Sequence, residues 1–188
     1  MFKFARLPRL SLRQLTPVAA IASALFALTP AQATPFNLSA YLSCRHTQLT
    51  EFPGTIVDAA MATPQLSTLV SLVVAADLTG ALSGKGPLTV FAPTNDAFAQ
   101  VPGPLLDLIG SDPKLLTKVL TYHVTSGTAD PRRSLIPTQV PTLQGQSLFL
   151  TYDADGASVN QSVASCKGVK TTNGTVWLID SVLLPQFK

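Results

Sequence analysis

The stretch Leu88-Thr89-Val90-Phe91-Ala92-Pro93-Thr94-Asn95-Asp96-Ala97-Phe98 holds the reading on which the fold turns. Leu88 to Ala92 is a short run rich in β-formers, apolar enough to be buried on both faces. Pro93 has no N–H to extend a ladder and stops the strand. Thr94 then caps a helix running through Phe98, its hydroxyl accepting from an unpaired backbone N–H. Asp96 in the first turn complements the positive end of the helix dipole. Thr94, Asn95 and Asp96 together are expected to satisfy several free N–H groups at that helix start.

Upstream the pattern is helical. Thr55-Ile56-Val57-Asp58 has the Thr-x-x-acid form of a capping box. Thr63 and Pro64 supply an N-cap and a first helical proline. Leu66, Leu69, Val70, Val73 and Val74 then fall on one apolar helical stripe. Gly80 and Ser83-Gly84-Lys85-Gly86-Pro87 break the run. Thr34 to Pro53 has few signals; Phe36, Leu38, Tyr41 and Leu42 suit one short amphipathic turn.

Downstream, a helix is predicted around Pro104 to Ile109. Another starts at Asp112-Pro113, with Leu116, Val119, Leu120 and His123 on one face. Beyond Val124 the texture becomes strand-like: Thr138–Leu143, Gln146–Tyr152, Ala157–Asn160, Val169–Thr172 and Thr175–Ile179. Leu148, Leu150 and Tyr152 alternate with Phe149 and Thr151, the period of a strand. Asp153-Ala154-Asp155-Gly156 reads as a hairpin connection and Asn173-Gly174 as a two-residue type I′ turn. Helices first and strands later predict an α+β domain with a largely antiparallel sheet.

The first 33 residues read as a secretory signal peptide. Lys3, Arg6, Arg9 and Arg13 precede an uncharged run, Val18 to Leu28, and Ala31-Gln32-Ala33 supplies a cleavage site. The apolar run is short for a bilayer-spanning helix, which needs about 20 residues. Of 13 Lys and Arg, four lie in this segment and none of the 10 acids do, leaving nine positive against ten negative charges. That near-neutral mature chain has no electrostatic footprint for nucleic acid or anionic lipid. Residues 34–53 are expected to be an N-terminal extension tied down by Cys44, and residues 54–188 one domain.

Cys44 and Cys166 form the one pair available. In an exported chain an even cysteine count is usually oxidised. The competing arrangement, a metal site of Cys44, His46, His123 and Cys166, has no accepted zinc spacing. No metal or cofactor is expected.

Three of these stretches together resemble the fasciclin domain. Thr89 through Phe98 is similar to that family's first signature block, and Tyr122-His123 after Leu115-Leu116 to its central motif. Asn173-Gly174-Thr175-Val176 through Ile179-Asp180-Ser181-Val182-Leu183-Leu184-Pro185 is similar to its second block. The resemblance runs from about Gly54 to Pro185. It implies a β-wedge or sandwich of about seven strands with helices packed around it, in a secreted or surface-attached adhesion protein. Small secreted bacterial members carry cysteines at places matching Cys44 and Cys166, which supports the bridge. In animal members the region of Tyr122 and His123 is linked to integrin contact. An Asp-Ile determinant in those members falls here on Gly168 and Val169, where the acid is missing.

Catalysis finds little support. His123 lacks a nucleophile motif and sits on an apolar stripe, so a packed, backbone-bonded histidine is the simpler reading. Asp153-Ala154-Asp155-Gly156 has no glutamate where a calcium loop requires one. Asn37, Asn160 and Asn173 open formal glycosylation sequons, idle in a bacterium. Trp177 reads as sheet packing. Arg132-Arg133 reads as a solvated loop pair and the first candidate for an acidic partner, with Tyr122 and His123 as further contact candidates.

The expected function is a non-catalytic, monomeric binding or adhesion module, secreted or held in the periplasm or cell envelope after cleavage near Ala33. Its partner would be a protein or polysaccharide of a matrix, cell surface or cell wall. Two alternatives stand beside it: an envelope hydrolase or small-ligand carrier with a pocket near His123, and a structural envelope protein without a specific ligand.

Overall fold

The computed structural model describes residues 36–187. The expected signal peptide and cleavage site fall outside the described residues. Seven α-helices and eight strands are present among them: α1 (Leu38–His46), β1 (Thr50–Glu51), α2 (Ile56–Met61), α3 (Ser67–Ala75), α4 (Thr79–Ser83), β2 (Leu88–Pro93), α5 (Asn95–Ala99), α6 (Gly103–Ser111), α7 (Pro113–Tyr122), β3 (Val124–Ser126), β4 (Thr138–Pro141), β5 (Ser147–Asp153), β6 (Gly156–Val159), β7 (Ser162–Lys170) and β8 (Gly174–Ile179). None of these helices is long and apolar enough to cross a membrane.

The strands run in the order β3-β2-β8-β7-β6-β5-β4, with β1 added to β7. A bridge between Thr125 and Thr142 brings the two ends of this curved sheet together. The sheet is antiparallel except at two places. β2 lies parallel to β8 over six residue pairs, Leu88–Gly174 to Pro93–Ile179, and β1 is parallel to β7.

β2 is buried on both faces because each face meets a different core. Val90 and Ala92 join Val176 against Leu69, Val73, Leu116 and Leu120 of the helices. Phe91 and the paired Trp177 point the other way, into a second core with Leu148, Leu150, Val159 and Tyr152. The alternation of strand side chains distributes the residues of one run between two apolar layers.

Local signals hold where chemistry fixes them. Thr55 and Asp58 close the capping box, with the Thr55 N–H donating to Asp58 Oδ2 at 2.8 Å. Ala154 and Asp155 form the two-residue β5–β6 loop. Several expectations are corrected. The stripe after Pro64 begins as a 3-10 turn, Pro64–Leu66, and Val74 in the last turn of α3 is 55% exposed while its neighbour Val73 is buried. The weakly signalled turn near Cys44 is the nine-residue helix α1, capped by Asn37. β7 begins at Ser162, seven residues before the expected strand.

The last hairpin is shifted by one residue. Thr171 and Gly174 are hydrogen-bonded across it, so Thr172 and Asn173 occupy the turn. Neither has positive φ, which a type I′ turn requires. Gly174 is needed instead for close approach, since a Cβ there would strike the Leu88 carbonyl of the parallel neighbour.

Candidate functional site

The polar residues of the signature stretches are mostly tied to backbone. Thr94 Oγ1 accepts from the Ala97 N–H at 3.3 Å and caps α5. Asn95, expected to help cap that helix, instead crosses to α3. Its Oδ1 accepts from the Thr68 N–H at 3.0 Å and its Nδ2 donates to the Pro64 carbonyl at 3.0 Å. α3 has no capping side chain of its own, so Asn95 supplies one from another element. Asp96 stays in the first turn of α5 as a dipole partner.

Asn173 performs the same task at the opposite end of the β2–β8 pair. Its Oδ1 accepts from the Ile56 N–H at 2.9 Å, and its Nδ2 donates to Leu82 and Gly84 carbonyls at 2.8 and 2.9 Å. One amide thus joins α2, α4 and the final hairpin. Asp180 Oδ1 accepts from the Val163 N–H at 2.8 Å, fastening the end of β8 to the start of β7.

His123 is buried, with 2% of its surface exposed. Nδ1 lies 2.8 Å from the Val119 carbonyl, and Nε2 accepts from the Leu183 N–H at 2.9 Å. Those partners fix the neutral ring with its proton on Nδ1. Burial pulls its pKa down from 6.5 to about 4, against the opposing pull of the Val119 bond. A cavity of about 60 Å³ touches the ring and is lined mainly by aliphatic groups, among them Leu69, Val73, Val90 and Val176. Asp96 and Asp180 do not line it.

Arg132 corrects the expectation of a solvated pair. It is 3% exposed, and its guanidinium carbon sits 4.6 Å from the ring centre of Trp177. Nε and Nη2 grip Asp130 at 2.9 and 2.8 Å. Nη1 donates to the Thr47 carbonyl at 2.6 Å and to the Cys166 carbonyl at 3.3 Å. The planar fork is well matched to this crowd of acceptors, as a lysine ammonium would not be. Arg133 is exposed and pairs with Asp130 at 3.3 Å. Cys44 and Cys166 are joined as a disulfide directly beside this cluster, so their sulfurs are not free for metal. No adjacent-residue pattern announces Arg132; the only available signal was an arginine two residues after an aspartate in a low-charge chain.

Tyr122 is also buried, so neither it nor His123 offers a broad contact surface. Its hydroxyl nonetheless reaches the floor of an open cleft of about 1110 Å³. There Tyr122 Oη donates to the Ser147 carbonyl at 3.3 Å and accepts from Asn160 Nδ2 at 3.1 Å. Asn160, a left-handed residue (φ 54°), also pairs with both backbone groups of Phe149. Ser162 and Ser181 hydroxyls meet at 2.6 Å. Gln146 fixes the opposite wall, its amide bonded to both the N–H and carbonyl of Gln186 at 2.9 and 2.7 Å. Sequence reasoning missed this cleft, because its residues come from the end of α7, from β4, β5 and two hairpin turns, and from the C-terminal segment.

A family model for the Fasciclin domain matches residues 64–185, and the chain belongs to that family. Among relatives, it is 42% identical over 135 residues to the cell surface glycolipoprotein MPB83 of Mycobacterium bovis, covering 69% of this chain and 60% of that protein. It is 41% identical over 140 residues to protein sll1483 of Synechocystis, covering 72% and 76%. The immunogenic protein MPB70 of Mycobacterium bovis is 39% identical over 140 residues, covering 68% and 67%. The match therefore spans about 60% of the length of the MPB83 relative. The FAS1 domain pair of the insect cell adhesion molecule Fasciclin I aligns at a TM-score of 0.48 and 19% identity, over 63% of this chain and 45% of that one.

Proposed function

We propose that this protein is an exported, non-catalytic fasciclin-type binding module that acts at the cell surface or in the envelope. It recognises a component of a matrix, another cell surface or a cell wall. The observation that carries the reading is the use of the signature polar groups. Asn95, Asn173, Asp180 and His123 are each tied to main-chain partners on other elements or turns, a scaffolding use of groups that catalysis would need free. Membership of the fasciclin family and the cell-surface name of its MPB83 relative support the location.

A hydrolase centred on His123 finds no nucleophile or carboxylate among the ring's hydrogen-bond partners. A carrier finds too little room: about 60 Å³ is well short of the roughly 150 Å³ cavity that admits benzene in an engineered protein. The test is saturable binding of the oxidised, folded protein to immobilised matrix proteins, cell-wall polysaccharides and intact cells. Absence of saturable binding to every surface, with the fold intact, would leave only a structural envelope role.

A further inference from the structure

The cleft above Tyr122 is lined by fourteen residues, none of them charged. Gln139, Gln161 and Gln186 contribute side-chain amides that make no hydrogen bond among the described residues, while those of Asn160 and Gln146 are already committed to the walls. Each free amide offers two donors and an acceptor. Phe149 stands beside Gln139 as its cross-strand partner, on the same face, and is 50% exposed.

We infer that this cleft binds a neutral polysaccharide chain. The inference rests on the binding-module reading above and names its ligand class. A sugar hydroxyl both donates and accepts, as does an amide, so free glutamines match a run of hydroxyls without ionic compensation. The apolar face of a pyranose ring suits the exposed Phe149 ring. An acidic polysaccharide, phosphate or nucleic acid would bring charge into a cleft where no cation stands among the described lining residues. The volume is slightly above the usual range for a small-molecule pocket, roughly 300–1,000 Å³, and accommodates a segment of a longer chain. The floor is prepared in advance by the Tyr122–Asn160–Ser147 and Ser162–Ser181 bonds, which lowers the ordering cost of binding.

A peptide added as a strand is the competing occupant. It fits less well, because Pro137 just before β4 and Pro141 at its end withhold N–H groups from that edge.

The experiment titrates oxidised protein with neutral hexasaccharides (cellohexaose, laminarihexaose, mannohexaose and fully N-acetylated chitohexaose), with polygalacturonate and with gelatin peptides, following backbone amide shifts by NMR. Expected is saturable binding of at least one neutral sugar, with shifts centred on Gln139, Phe149 and Gln161. Phe149→Ala and Gln161→Ala should each weaken it by about fivefold or more, with Phe149→Tyr retaining it. Both sites are exposed, and an unchanged melting temperature certifies the fold. Binding of polygalacturonate or gelatin alone, or undiminished sugar binding by Phe149→Ala, overturns the inference. Silence toward all neutral sugars from protein that still binds intact cells also overturns it, while leaving the binding-module reading standing. Silence toward sugars and cells alike overturns both.

Discussion

The Nε2 atom of His123 accepts the backbone N–H of Leu183 at 2.9 Å, joining the end of α7 to a segment sixty residues further along the chain. Leu183 lies between Ser181 and Gln186, both of which line the uncharged cleft. The imidazole thus holds one wall of the cleft from inside the core. It can do so only while neutral, because a protonated ring has no acceptor to offer.

Acid should therefore release this wall. The folded pKa of His123, about 4, lies below its ordinary 6.5, so between those values the unfolded chain binds the extra proton. Its contribution to stability is complete above pH 6.5 and is lost as pH falls toward 4. The full swing is about 3 kcal/mol. Urea unfolding of wild type at pH 7 and pH 4.5 should show most of that loss. His123→Gln should be less stable at pH 7 but much less pH-sensitive over the same window. Asp58 titrates in a lower range: its hydrogen bonds from Thr55 depress its pKa, so its contribution disappears only below the usual carboxylate range.

The adjacent arginines should behave very differently. Arg132→Ala leaves Asp130 and the carbonyls of Cys44, Thr47 and Cys166 without their shared donor and uncovers Trp177. The expected destabilisation is about 3–5 kcal/mol. Arg132→Lys should recover little, as one ammonium cannot reproduce the fork. Arg133→Ala should change stability by less than about 0.5 kcal/mol. Chemical denaturation with tryptophan fluorescence reads all three, and comparable losses at both positions would contradict the assigned geometry.

Reduction of the disulfide, or Cys44→Ser with Cys166→Ser, opens a link across a sequence separation of 122. On the chain-entropy account the loss is about 4–5 kcal/mol. Because the Cys166 carbonyl is also bound by Arg132, the double-cysteine variant combined with Arg132→Ala should depart from additivity. Denaturant midpoints of the single and combined variants measure that coupling.

Asn173→Ala should cost about 2–4 kcal/mol, since it removes partners from the Ile56 N–H and from two carbonyls. Hydrogen exchange should quicken at Ile56, at the start of α2, before it does in β5. Gly174→Ala should be at least as damaging, because its methyl meets backbone that cannot move without parting β2 from β8.

Particular residues explain how far the sequence could be followed. The Thr55–Asp58 box, the Thr94 cap and the β5–β6 turn depend on neighbours a few positions away, so local chemistry was enough to place them. Asn95 was also legible as important, but its bonds go to α3 instead of its own helix. Asn173 was read as the first turn residue and is the second, because Gly174 already belongs to β8 and pairs with Leu88. Arg132 looked solvated because exposure is the ordinary state of arginine; its burial depends on Trp177, Thr47 and Cys166, all distant in the chain.

The cleft was illegible for the same reason. Gln139, Phe149, Gln161 and Gln186 are unremarkable in their own segments and acquire a shared surface only when four parts of the chain meet.

From the amino-acid order alone came the α+β class, the run of short capped helices, the hairpin strands and the one available cysteine pairing, since each follows from contacts within a few residues or from simple counting. Tertiary structure alone decided that β2 pairs in parallel with β8, that one arginine of a pair is buried, and which amides remain free at the surface. Those outcomes depend on which distant backbone groups compete for each donor and acceptor, and that competition is resolved only when the whole chain has packed.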